Sequence, residues 1–208
     1  EDVYVQTYRM KLGAPPSDGP DPDAGVRGVA ARALSLHGQG ADALLIIPLL
    51  KDQDRRVRLE GVRALQRLHN PAAIDPLVTA MDAKKEDDYD VRAEAATALG
   101  QYAEPRVLQS LVAALDDDML AVSRAARSSL TTLTGQDFGE DQRQWVSWLK
   151  TTKTPFEGRR EYIYPVFNRD RYWFEYVPLV PQPPNEIAAA PAGMGPPPAT
   201  VTTTAPTP

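Results

Sequence analysis

The chain has 208 residues, 42% apolar and 25% charged, with a formal charge of −5, a pI near 5.1 and no cysteine. That length gives room for one sizeable core or a short repeat array, and the missing thiol excludes disulfide scaffolds, cysteine-ligated zinc, iron–sulfur clusters and cysteine nucleophiles. The longest nearly unbroken apolar run, Ala43 to Leu50, is far below the roughly 18 residues of a membrane span, and the acidic balance argues against general affinity for nucleic acid or anionic lipid.

In chain order, residues 1–23 form an N-terminal segment. Val5, Tyr8 and Leu12 fit a short helix against the next element, with an extended arm as the alternative. Gly13 to Asp23 carries four prolines and reads as a loop.

Residues 24–134 repeat. Val26-Arg27 precedes Ala30-Ala31 and Ala33-Leu34, Val57-Arg58 precedes Gly61-Val62 and Ala64-Leu65, and Val91-Arg92 precedes Ala95-Ala96 and Ala98-Leu99. A weaker fourth copy starts at Val122, so the valines recur at intervals of 31, 34 and 31 residues, the third unit having the longer loop Ala83 to Asp88. Apolar residues at offsets 0, +4, +5 and +8 define one helical face. Asp23, Asp54 and Asp88 stand three residues before their valine, where a carboxylate accepts the free N–H groups of a helix start. Gly38, Asn70 and Gly135 follow the helices and are of a type suited to left-handed backbone past a helix end. The stretches Leu44-Ile47-Leu50, Ile74-Leu77-Met81 and Leu108-Leu111-Leu115 supply a second helix to the units, each about three turns long. Such pairs bury their apolar faces by stacking, which predicts an all-α solenoid of about four helix pairs.

These residues, and most closely the run Leu50-Lys51-Asp52-Gln53-Asp54-Arg55-Arg56-Val57-Arg58, resemble the HEAT repeat in the short bacterial form also found in phycobilisome-lyase-like proteins. The resemblance covers roughly residues 24–134. It implies a fold and leaves function open.

Residues 135–150 carry Thr134-Gly135-Gln136-Asp137-Phe138-Gly139 followed by Trp145 and Trp148, a string resembling a terminal motif seen after HEAT-like arrays. Phe138, Trp145 and Trp148 are expected to cover the open end of the last repeat, the tryptophans sharing one helical face at i, i+3.

Residues 151–180 are an aromatic arm or β-hairpin. Phe156, Tyr162, Tyr164, Phe167, Tyr172, Trp173, Phe174 and Tyr176 fall within 21 residues and are interleaved with arginines. Asn168-Arg169-Asp170 is turn chemistry, and Pro165 and Pro178 keep strands short or at an edge. The aromatic and arginine content matches interface hot spots, so these eight residues with Arg169 and Arg171 are the expected partner-binding set; the alternative is a hairpin folded back as a private cap. Residues 181–208 form a Pro/Ala/Thr-rich extended tail.

Other chemistry is sparse. His37 and His69 sit near helix C-termini and read as partners of the helix dipole. Asp87-Asp88-Asp90 and Asp116-Asp117-Asp118 lack the spacing of a calcium loop, and Arg55, Arg56, Arg58, Arg63 and Arg67 read as an ion-paired ridge. No catalytic residue, cofactor, metal or nucleic acid is expected. The reading is a non-enzymatic scaffold bound to other protein subunits, placed in the bacterial periplasm or cell envelope by its tail composition and its Glu1-Asp2 start, with a cytoplasmic place as alternative. The rival is a HEAT-type enzyme or ligand-binding protein, chromophore-lyase-like or nucleic-acid-processing, working through the concave groove.

Overall fold

The computed structural model describes residues 3–166, 172, 176–177 and 188–195. Phe167, Arg169, Arg171, Trp173 and Phe174 of the expected contact set lie outside them, as does most of the tail. Among the described residues the helices are α1 (Val3–Lys11), α2 (Ala24–His37), α3 (Ala43–Ile46), α4 (Arg55–Arg67), α5 (Ile74–Met81), α6 (Tyr89–Leu99), α7 (Pro105–Ala114), α8 (Leu120–Thr134) and α9 (Gln142–Thr151). None of them is long and apolar enough to cross a membrane.

The helices form two layers. α2, α4, α6 and α8 stack on one another in order, while α1 packs on α2, α3 and the 3-10 turn that follows it on α4, α5 on α6, α7 on α8, and α9 on α7. Small residues permit the close approach. A Cβ added at Gly61 would meet Leu49 and Leu50 side chains at 3.2 and 3.3 Å. The core is continuous from Val5 through Leu34, Leu65 and Leu99 to Leu133 and Trp145.

Local chemistry sets the helix starts. Asp23, Asp54 and Asp88 accept the backbone N–H of Val26, of Arg56, and of Asp90 and Val91 respectively, and Asp141 caps α9 in the same way. The helix ends differ from expectation. Gly135 alone of the three expected residues is left-handed (φ 72°), whereas Gly38 and Asn70 are extended, and Asn70 instead caps the 3-10 turn at Pro71–Ala73. The expected three-turn helix at Leu44-Ile47-Leu50 is also replaced by α3 and a 3-10 turn at Ile47–Lys51. Pro48 cannot donate to the carbonyl four residues back, so the α ladder gives way there. The buried face shifts accordingly: Leu44 is 57% exposed, while Ala43 and Ile46 are fully buried.

The arginine after each repeat valine joins neighbouring units. Arg27 forks onto Asp52 (2.8 and 2.9 Å), Arg58 onto Glu86 (2.7 and 2.9 Å) and Arg92 onto Asp117 (2.9 and 3.1 Å). Each arginine also donates through Nη1 to two carbonyls of its own turn, Asp21 and Pro22, Asp52 and Gln53, or Glu86 and Asp87. Each accepting carboxylate also takes the N–H two residues on, at Asp54, Asp88 and Met119. These are planar, two-pronged, partly buried ion pairs, the geometry in which arginine is worth more than lysine. Of the expected ion-paired ridge, Arg55, Arg58 and Arg63 are paired, and Arg58 makes its pair across the joint between repeats.

Candidate functional site

A helix ends with carbonyls that have no partner inside it. In the stacked layer those ends line up along one edge of the solenoid, and the chain beyond α9 runs back over them. Gly158 seats against the left-handed Gly135 in backbone contact. Arg160 N–H donates to Thr132 O (2.7 Å) at the end of α8, and the Arg159 guanidinium donates to Gln101 O (3.0 Å) just past α6. Ala192 N–H donates to Arg67 O (2.7 Å) at the end of α4, and Ala192 O accepts from His69 N–H (2.8 Å). Gly193 touches Gly40, the loop after α2. The described residues of the C-terminal segment thus form a strap on the repeats, 158–160 meeting the ends of α8 and α6 and 192–193 those of α4 and α2, in the order opposite to that of the repeats.

Aromatic groups hold the strap down. Tyr162 is buried (5% exposed), with its hydroxyl finding no hydrogen-bond partner among the described residues. Burial, with Tyr102 and Glu94 nearby, pushes its phenol far above the ordinary range. Arg67 lies over the Tyr164 ring at 4.7 Å, and Phe156 packs on the core. His69 stacks on Tyr102 at 4.8 Å with Nδ1 3.0 Å from Gln101 Oε1. Its pKa is lowered by burial, opposed by the Gln101 contact, and Arg159 lowers it further. His69 thus faces a tyrosine ring, and burial disfavours its cationic form. Tyr102 donates to Asn70 O (3.0 Å), and burial raises its pKa to about 12.

The strap takes up part of the expected contact set. Phe156, Tyr162 and Tyr164 pack on the chain's own helices, because the row of helix-end carbonyls needs donors and the arm carries both donors and apolar area. Tyr172 and Tyr176 differ, at 58% and 70% exposed. Residues 161–166 form neither helix nor strand, and the described residues show only isolated bridges, Leu12 with Pro20 and Leu68 with Ala192. The turn expected at 168–170 lies outside the described residues.

At the other end of the stack, Trp145 is fully buried, donates Nε1 to Gly139 O (2.9 Å) and meets Phe138 edge-on at 4.9 Å, with Trp148 beside both.

The remaining candidates are absorbed by the fold. Arg55 pairs with Asp88 and with Asp90, Glu86 and Asp117 belong to the repeat joints, and no cluster suited to a metal ion occurs among the described residues. A shallow groove of about 490 Å³ beside the strap is lined by Arg32, Leu36, Glu60, Arg63, Arg67 and Glu94. Arg63 is bonded to Glu94 at 2.9 Å, and so is Gln66 at 2.6 Å, which leaves the groove polar and partly ion-paired. The inter-repeat role of Arg27, Arg58 and Arg92 was not anticipated, although the Val-Arg recurrence carried the signal.

Residues 43–131 match the family model for HEAT repeats. No curated protein matches the sequence. Solved structures similar to the chain include the complex of CpcE and CpcF of phycocyanin lyase from Nostoc sp. PCC7120, at 17% identity and a TM-score of 0.44, covering 72% of this chain and 100% of that one. The repeat body, two layers of helices joined by periodic arginine–carboxylate pairs, is a HEAT-like α-solenoid.

Proposed function

We propose that the chain is a non-enzymatic protein-interaction scaffold, an accessory subunit of a larger assembly, with the solenoid as rigid platform and the C-terminal aromatics as its contact. One observation carries this reading. Tyr164 N–H donates to Ala189 O (3.2 Å), which pins together the two ends of the intervening segment, and within it Tyr172 and Tyr176 are mostly exposed beside a half-exposed Val177. Tyrosines held on a rigid base cost little entropy to order and supply large amphipathic contact area. Phe167, Arg169, Arg171, Trp173 and Phe174 belong to the same proposed contact by composition. The composition of the tail supports a place in the bacterial cell envelope, which fractionation of source cells would test.

The test compares the whole chain with the Tyr172→Ala/Tyr176→Ala variant in purification from the native source. Truncation at Thr152 is unsuitable, because it strips Tyr162 from the core and the donors from the helix ends. The expected result is an unchanged melting temperature with loss of a stoichiometric protein partner. A partner kept by the variant would move the contact to the repeat surface, and a loss of helicity would assign both tyrosines to the fold. Pigment absorbance or turnover travelling with the purified chain would favour the catalytic alternative.

A further inference from the structure

The repeat joints form a series with one unused position. In the sequence register of the repeats, Asp21, Asp52, Glu86 and Asp117 are equivalent acceptors, and Arg27, Arg58, Arg92 and Ser123 are equivalent donors. Every acceptor except the first receives the arginine of the preceding repeat. Asp21 makes the same turn as the others, accepting Asp23 N–H at 3.0 Å, but its cation is Lys11 (2.9 Å), a half-exposed side chain offering one prong in place of two.

The apolar face beside Asp21 is unfilled in the same way. Val57, Val91 and Val122 are at most 1% exposed on helices that each have a preceding helix of the stacked layer packed on them, whereas Val26, on the first helix of that layer, is 36% exposed. Val29 is 64% exposed, where the next two repeats carry Glu60 and Glu94. An apolar patch therefore adjoins a carboxylate whose three counterparts all bind arginine across a helix joint.

We propose that the exposed flank of α2, with Asp21 at its edge, is a docking face for a HEAT-like helix pair of another protein chain, which presents an arginine to Asp21 and apolar side chains to Val26 and Val29. Charge complementarity and continuity with the three internal joints identify the occupant. A second copy stacked end to end does not supply it, because the fourth donor position is Ser123, which bonds back to Leu120 O (3.2 Å), and α9 covers α7 at that end. Docking displaces Lys11, and an exposed lysine pair of this kind contributes little. The Tyr172→Ala/Tyr176→Ala variant tests the preceding proposal and Asp21→Arg tests this one, so the two fail separately.

The chain has no native cysteine, so Val29→Cys in the whole chain takes a single benzophenone label. Photolysis in an extract of source cells, followed by mass spectrometry, is expected to give a crosslink to a helical-repeat protein, within a helix carrying an arginine next to an apolar residue. The crosslink should fall at least tenfold on adding Asp21→Arg, with the melting temperature kept, and should return when the captured partner's arginine is changed to aspartate. Val29→Glu, which copies Glu60 at an exposed position, should weaken binding of the purified partner without loss of fold. A crosslink to a second copy, to a protein without helical repeats, or to one indifferent to Asp21→Arg overturns the proposal, as does the absence of any crosslink. The same capture with Tyr172→Ala/Tyr176→Ala shows whether the partner depends on the C-terminal contact.

Discussion

Replacing Arg92 with alanine isolates the most buried of the repeat joints. Its side chain is 7% exposed and that of Asp117 is 5% exposed. The change removes both prongs to Asp117 and both bonds to the carbonyls of Glu86 and Asp87, and leaves the Asp117 carboxylate accepting from the N–H of Met119. Removing one partner of a buried ion pair strands the other charge, at a cost of about 3–5 kcal/mol. For a chain of this size that corresponds to a fall in melting temperature of about 10 °C. Urea titration followed by far-UV circular dichroism measures it, with an unchanged slope showing that the unfolded state is not the source. The double variant Arg92→Met/Asp117→Leu removes both charges and keeps side-chain volume, so it should lose clearly less than Arg92→Ala. A loss below about 1 kcal/mol in Arg92→Ala, or an equal loss in the double variant, would refute the view that these pairs hold the repeats in register.

Tyr162→Phe removes a buried hydroxyl without a described partner, so thermal melts should show stability unchanged or raised by about 1 kcal/mol, whereas Tyr162→Ala should lose about 3–5 kcal/mol. Trp145→Ala empties the end of the solenoid and should cost about 3–5 kcal/mol in urea unfolding, with loss of the fluorescence of this fully buried tryptophan. Hydrogen bonds from Arg127 first and then the Gly139 N–H hold the Asp137 carboxyl at about 2, below its ordinary 3.8. The sign follows from that depression: the stabilisation by this pair is full above the unfolded value and is lost as pH falls through about 2, so carboxyl NMR should place the Asp137 titration there, and Arg127→Ala should return it toward 3.8.

Much of the fold was legible because the repeat chemistry is local. A carboxylate three residues before a valine meets the N–H groups of its own helix, and periodic Ala and Leu mark the buried side whatever lies beyond. The pattern failed where a second local rule competed, as at Pro48, where the proline overrode the apolar spacing of Leu44, Ile47 and Leu50. It failed also at Gly38 and Asn70, which are extended because the chain passes directly into the next 3-10 turn.

The aromatic arm shows the wider limit. Its composition marked eight rings as potential contact area, and nothing in their order distinguished those that face a partner from those that face the chain itself. Tyr162 differs from Tyr172 because it is buried on the chain's own helices near Tyr102 and Glu94, a surface that exists only after the repeats have stacked. By itself the sequence determined the repeat, its period, its helix starts and its all-α class, each written within a few residues of where it acts. Tertiary structure decided which arginine meets which carboxylate, which aromatics are buried and which acceptor is left for a further helix pair, because each depends on groups 25 or more residues apart that only the stacked layers bring together.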